Sequence, residues 1–364
     1  MTDFRDAVFL IMWIFKNQTR REFKNVNRKL GWEDLGDEEL LEVRLCDLPL
    51  KIEGSVMEER VNRLYGELAE RGIRLKPHAW FSEEWFSPDG VPGIAIPFYL
   101  AHPRLMKLER KKMHQVEGGT DTECMRILRH EAGHVLDNAF RLHYRRQWRE
   151  HFGSFTQPYP DSYKPKASSR RHVLHLNAWY AQVHPAEDFA ETFAVWLTPR
   201  SRWRRRYQGW PALRKLEYIE QLMAEIAETA PKNRRRHRVE PLAEIKRTLR
   251  EHYQQKCQHY AFEWPTSYDR GLYRIFSSAP FHAARPSAAA FLRTVNREIC
   301  EGVSERTGVH PYTINQLLQD MIDRSRKLQL RVAIPESQAK AKTMALLKVQ
   351  TMNVIQSGYF RIAV

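Results

Sequence analysis

This 364-residue chain has few cysteines and no long apolar run. Its four cysteines, Cys46, Cys124, Cys257 and Cys300, form no CxxC pair. That excludes a zinc ribbon, a thioredoxin-type motif and a dense disulfide framework. Reduced, buried thiols suit the cytoplasm. The apolar stretch from Ala7 to Phe15 is nine residues long, whereas a bilayer span needs roughly 20. Asp3, Arg5 and Asp6 precede it, Lys16 follows, and no A-x-A site is present. It therefore reads as a buried helix or strand and not as an export signal. Internal repeats and low-complexity tracts are missing, as are RRM, KH and zinc-finger signatures. Hydrophobic residues at 42 % and charged residues at 28 % exclude wholesale disorder, a collagen-like chain and a multispanning membrane protein.

Acidic residues are also in deficit: 44 Asp and Glu stand against 59 Lys and Arg, a net charge of +15. The surplus is local. Residues 141–176 hold 8 basic and 2 acidic side chains, and residues 200–256 hold 16 and 7, which accounts for the whole excess. Three readings compete for these blocks: a solvated face, a site for an acidic substrate, and a surface for nucleic acid. Trp203, Tyr207 and Trp210 interleave with arginines, which suits stacking on bases and equally suits arginine stems lying over a core.

The chain reads as α+β and mostly helical. Helical spacing runs over 37–72, with Val56, Val61, Leu64 and Leu68 on one face and Gly72 as the stop. Pro88-Asp89-Gly90 signals a turn. The segment Gly93 to Leu100, GIAIPFYL, is of strand type, and Pro97 points to an edge strand or a bulge. As an edge strand it would receive an extended peptide by strand addition; as a plain core strand it would not. Thr120 three residues before Glu123 forms a capping box, so a helix begins there and runs to about Phe140. A second helix starts near Pro185 and stops at Thr198-Pro199. Residues 210–256 are helical on either side of a PKNRRRHR turn at 231–238, and further helices cover 286–330 and 337–356. The stretch around Gly308 reads as a helical hairpin with a faint helix–turn–helix flavour.

The chemistry sits in His130-Glu131-Ala132-Gly133-His134, an HExxH on the first of these helices. Spacing of four puts both imidazoles on one face, within reach of one ion. Imidazole nitrogen suits zinc, and a catalytic zinc site takes three protein ligands and keeps one position open for water. Glu131 lies about 100° round the helix, where it addresses that water. The metzincin continuation HxxGxxH is missing, because Asp137 stands where its glycine belongs. The third ligand must come from further on, and His184-Pro-Ala-Glu187-Asp-Phe-Ala-Glu191 is the best source. Glu187 and Glu191 share a helix face among Phe189, Phe193, Val195 and Trp196. Like charges at that spacing repel by roughly 0.2–0.5 kcal/mol. One carboxylate can bind a metal while the other orients a ligand histidine.

The pairing of HEAGHxxD with HPAEDFAETFAVWL over residues 78–220 resembles a family of bacterial zinc-binding metallopeptidases of the gluzincin type, distantly similar to the anthrax lethal factor protease domain. The resemblance implies a zincin-like core with a small sheet, one zinc ion, and ligands His130, His134 and Glu187, with Glu191 orienting His130. It divides the chain into an N-terminal helical region at 1–77, a catalytic core at 78–220 and a C-terminal helical region at 221–364. The 53-residue step from His134 to Glu187 implies an insertion. The implied reaction is amide hydrolysis of a peptide or protein, with Glu131 as general base and acid. Tyr180, seven residues before Glu187, resembles the oxyanion donor of lethal-factor-like enzymes; His175 and His184 are runners-up for that role. Asp137, one turn past His134, is a candidate support for the ligands, and His102 and His114 are expected to be structural. The competing function is a basic nucleic-acid- or partner-binding protein with a structural or degenerate metal site. Glu131 speaks against it, since a structural site has no use for that residue.

Overall fold

A computed structural model describes residues 31–160, 162–163, 166, 168–260, 269–356 and 362–363. The apolar segment Ala7–Phe15 lies outside the described residues. The fold is α+β and mostly helical. No helix among the described residues is long and apolar enough to cross a membrane. The described residues form two compact units, one from 31–49 with Leu242–Gln254, the other from within 50–241 and 255–363.

In the first unit, α1 (Asp37–Leu41) buries Leu40 and Leu41. Arg250 closes on Glu38 and Glu42, at 2.8 and 2.6 Å. The helical reading of 37–72 is corrected here, because the helix is interrupted between Glu42 and Ser55. Gly54 takes φ +80°, a left-handed conformation that glycine adopts without penalty. Ser55 then caps a fresh helix.

That helix is α2 (Val56–Glu70), which opens the larger unit. Strands β1 (His78–Ser82) and β2 (Gly93–Pro97) pair in parallel, His78 beside Gly93 and Ser82 beside Pro97. On its other side β2 meets Phe86 through an isolated antiparallel bridge at Ala95. All five β2 residues are buried. Of GIAIPFYL only Gly93–Pro97 is strand, and Phe98–Ala101 forms a 3-10 helix; β2 is one of the two strands of its sheet, bridged on the side away from β1 at Ala95 alone, and Pro97 is tolerated because it ends the strand. Residues 237–240, of which only the first two fall in the turn read from sequence at 231–238, run beside β1. His78 Nε2, Trp80 Nε1 and Ser82 Oγ donate to the carbonyls of His237, Val239 and Glu240, at 3.0, 2.9 and 2.7 Å. Those donors alternate along β1, as side chains on one side of a strand must.

Next come α3 (Pro103–Met113) and α4 (Asp121–Phe140), which carries the HExxH. Thr120 Oγ1 accepts the N–H of Glu123 at 3.2 Å, so the expected cap forms. Cys124, Ile127, Leu128, Val135 and Leu136 are all buried. Arg129 grips Glu67 of α2 with two 2.7 Å bonds and fixes the helix about its axis. After α5 (Arg146–Phe152) comes α6 (Pro185–Leu197), buried along its whole length. Its N-cap is His184, whose Nδ1 accepts the N–H of Ala186. The short α7 (Trp203–Arg206) leads to α8 (Ala212–Ile226). Helix α9 (Leu249–His259) follows. The chain then builds α10 (Asp269–Tyr273), α11 (Ala288–Thr294), α12 (Asn296–Thr307), α13 (Pro311–Lys327) and α14 (Glu336–Gln356). These share a core of their own that includes Phe276, Leu292, Ile299, Leu318 and Met321.

Candidate metal centre

Helices α4 and α6 meet where neither has a large side chain. A Cβ built on Gly133 would lie 2.7 Å from the Cα of Ala190. The missing side chain therefore lets two backbones come together, and each helix brings its polar residues to the same point. His130 Nε2 lies 3.0 Å from Glu187 Oε2. His134 Nε2 lies 3.3 Å from the same oxygen and 3.2 Å from His130 Nε2. Among the described residues these three form a group able to hold a metal ion.

A tetrahedral zinc shell has bonds of about 2.0–2.1 Å and so ligand-to-ligand edges of roughly 3.3–3.4 Å. The three observed separations, 3.0 to 3.3 Å, are close to that. The donor set is also of the right kind, two imidazoles and one carboxylate. His130 Nδ1 bonds Glu191 Oε1 at 2.9 Å. Glu191 is fully buried, and its other oxygen accepts the N–H of Leu176 at 2.8 Å. With Nδ1–H spent on Glu191, Nε2 is the nitrogen left to bind an ion, and it faces His134 and Glu187.

The electrostatics show how strongly these groups seek a positive charge. Burial opposes protonation of His130, but its bonds to Glu187 and Glu191 and their charges outweigh it and hold the imidazole well above its ordinary value. His134 is raised in the same way, with burial opposing and Glu187 prevailing. Burial would raise the Glu187 carboxyl; the two histidines instead hold it well below the usual carboxylate range. A shared cation would satisfy all three groups.

Glu131 is buried, and its Oε2 accepts a 2.8 Å hydrogen bond from Ser87 Oγ. Tyr180 comes from a 3-10 helix, Asn177–Gln182, and its ring centre lies 5.6 Å from that of His130. Burial, then the charges of Glu187 and Glu131, push its phenol well above the ordinary value, so it keeps its proton and can donate. Two neighbours were missed in the sequence. Ser87 carried no signal beyond its place beside a turn. Tyr159 Oη donates to Glu187 Oε1 at 2.8 Å and its ring stacks on His184 at 3.9 Å. It lies in the proline-rich loop between the two helices, where only the insertion itself hinted at a role.

The remaining candidates lie elsewhere. Asp137 is not brought to the ligand histidines. Its carboxylate accepts from His143, at 2.7 Å from Nδ1 and 2.7 Å from the backbone N–H. His175 donates to the Arg126 carbonyl at 2.9 Å, and burial lowers it to about 4, so it is a neutral structural residue. His184 spends Nδ1 on the cap and Nε2 on the Gln157 carbonyl at 2.9 Å. His102 caps α3, and His114 ends it at φ +64°. Trp203 and Tyr207 are buried, with Arg204 lying 4.2 Å over the first ring and Arg206 5.4 Å over the second. These two rings serve as core beneath arginine stems and are not available to stack on bases.

An HExxH helix joined by a glutamate from a second helix makes a candidate metal centre of two imidazoles and one carboxylate. Residues 109–202, about a quarter of the chain, match the model of a family described as "Putative zinc-binding metallo-peptidase". Searches of curated proteins and of solved structures returned no significant match.

Proposed function

We propose that the protein is a zinc-dependent peptidase that hydrolyses amide bonds of a peptide or protein substrate. The observation that carries this is the convergence of His130 Nε2, His134 Nε2 and Glu187 Oε2 within 3.3 Å of one another, beside a buried glutamate that is not one of the three. In this reading His130, His134 and Glu187 hold one zinc ion, and Glu191 fixes the tautomer and plane of His130. When bound, zinc supplies Lewis-acid polarisation of a carbonyl and lowers the pKa of water to about 7. Glu131 takes a proton from the attacking water and delivers it to the leaving amine. Ser87 holds the Glu131 carboxylate in place by its 2.8 Å bond. Tyr180 donates its phenolic hydrogen to the oxyanion as charge develops there. Tyr159 keeps Glu187 turned toward the histidines. The four free cysteines suit the cytoplasm.

The test separates metal from chemistry. Purified protein is expected to carry about one zinc per chain, and His130→Ala, His134→Ala or Glu187→Ala to lose it. Glu131→Gln is expected to keep zinc while peptide hydrolysis falls by about 10²- to 10⁴-fold. Zinc content unchanged in Glu187→Ala, or full hydrolysis in Glu131→Gln, would overturn the assignment.

A further inference from the structure

One cavity, of about 310 Å³, opens at the C-terminal end of α4. Asn138, Arg141, His143, Asn233, Arg235 and Asp89 supply its polar lining. It adjoins the candidate metal centre. Asn138 follows His134 by one helical turn, about 6 Å along the axis. From His143 a chain of rings leads to the site. Phe155 stacks on His143 at 4.0 Å and meets the edge of His184, which stacks on Tyr159, the residue bonded to Glu187. The turn at 88–90, which follows Ser87, the residue that holds Glu131, lines the cavity with Asp89 and Gly90.

The walls are rigid and their own polar groups are satisfied. Asn138 accepts the N–H of Gly90 at 2.8 Å and donates to the Pro88 carbonyl at 3.1 Å. Asn233 Nδ2 donates to the Gly90 and Asn138 carbonyls, at 2.8 and 3.3 Å. Its N–H donates to the Ala139 carbonyl at 2.9 Å. The N–H of Arg141 closes on the Asp137 carbonyl. The carbonyls that make a helix C-terminus negative are therefore largely spent. Asp137 holds Nδ1 of His143, which leaves Nε2 as that ring's remaining polar atom.

The charges left over are cationic. Many basic residues of the two blocks are paired internally: Arg145 with Glu225, Arg146 with Glu150, Arg204 with Glu220, Lys215 with Asp188. Arg141 and Arg235 have no ion-pair partner among the described residues, and Asp89 is the one acidic side chain of the lining. Arg234, Arg236 and Arg238 flank Arg235 on the same exposed segment. Two guanidinium groups with amide walls match the planar geometry of a carboxylate.

We propose that this pocket is a specificity subsite that takes a carboxylate of the peptide substrate, with Arg141 and Arg235 as its cations. The carboxylate is an Asp or Glu side chain or the substrate's own C-terminus. The proposal rests on the peptidase reading and specifies its substrate class.

The experiment uses full-length Glu131→Gln protein and nonapeptides randomised over uncharged residues and labelled with an uncharged boron-dipyrromethene dye. One set fixes Glu at each position in turn and the matched set fixes Gln, each made as free acid and as amide. Binding is followed by anisotropy at constant ionic strength. At least a ten-fold preference for a carboxylate-bearing set is expected, and the set that shows it identifies the source. Arg141→Asn with Arg235→Gln should abolish the preference and leave neutral peptides unchanged; Asn tolerates the φ of +54° at position 141. Asp89→Asn should strengthen carboxylate binding. Equal binding of acidic and neutral sets, no binding of either, or a preference that survives the double substitution overturns the subsite. Cleavage of the same sets by wild-type protein is read by mass spectrometry. Preferential binding with no cleavage fails the peptidase reading alone, and indiscriminate cleavage fails the subsite alone.

Discussion

Gly133→Ala adds one methyl group at the contact that brings together the two helices of the candidate metal centre. The new Cβ would lie 2.7 Å from the Cα of Ala190, 3.2 Å from its Cβ and 3.3 Å from its carbonyl oxygen. Two of these atoms are backbone, so no rotamer change relieves the clash. Ordinary contact begins near 3.4 Å, so the helices must part by about 0.7 Å. Overpacking of this kind costs about 1–3 kcal/mol, offset by up to about 1 kcal/mol from the better helix propensity of alanine. The larger effect falls on the metal. His130 and His134 ride on α4 and Glu187 rides on α6, while ligand distances tolerate about ±0.2 Å. Zinc affinity should fall by about ten-fold or more, measured by competition with a chelator of known affinity. Gly66→Ala is the control, since a Cβ there meets nothing within 4 Å. It should gain up to about 1 kcal/mol and leave zinc unchanged. If Gly133→Ala behaves like Gly66→Ala in both denaturation and zinc competition, the close approach of the helices does not set the site.

Glu191→Gln should weaken zinc binding by about 10- to 100-fold, because a carboxylate that orients a ligand histidine is lost; inductively coupled plasma mass spectrometry after dialysis against a zinc buffer measures it. Lys256→Met should destabilise the larger unit by about 3–5 kcal/mol. It would strip the cation from Glu84 and from the buried Glu109, which lie 3.0 and 3.1 Å from Nζ, and urea titration reads the loss. His175 makes stability fall on acidification. Its folded pKa, lowered to about 4 by burial, lies below the ordinary 6.5, so the folded protein binds fewer protons between the two values. The stabilisation is complete above about pH 6.5 and drains away as pH falls toward 4, by up to about 3 kcal/mol. His175→Gln, which keeps a donor for the Arg126 carbonyl, should flatten that limb; an unchanged difference in urea midpoint between pH 7 and pH 5 would remove His175 as its cause.

Local signals in the sequence were read well where they are self-contained. The Thr120 cap, the end of α4 at Phe140 and the start of α6 at Pro185 each depend on residues within one or two turns. The helical reading across 37–72 failed because apolar spacing continues through a segment that Gly54 and Ser55 break. GIAIPFYL is strand only as far as Pro97, because that residue cannot donate to a ladder and the chain turns into a 3-10 helix at Phe98. Residues 231–238 could not have been placed at all. They have no periodicity of their own, and their order comes from Asn233 on α4 and from side chains of β1 about 160 residues earlier. Within the centre, His130, His134 and Glu187 were legible from spacing and resemblance, whereas Ser87 and Tyr159 reach it through loops whose course no pattern encodes.

The charge surplus illustrates the same limit. Its two blocks are adjacent to the centre in sequence, and that adjacency misleads for most of their residues. Arg204 and Arg206 cover buried rings, and Arg145 and Lys215 close ion pairs that hold helices in place. What reaches the cleft is a small remainder, Arg141 from the first block and Arg235 from the second. They are brought together because Asn233 ties its segment to the end of α4. Arg141 is held at φ +54° because it terminates the helix that carries His130 and His134. The helix that carries both candidate histidine ligands thus also carries one of the proposed cations, and a shift of α4 moves both. Gly133→Ala should for that reason alter carboxylate preference as well as zinc affinity, whereas Arg141→Asn should alter the preference alone.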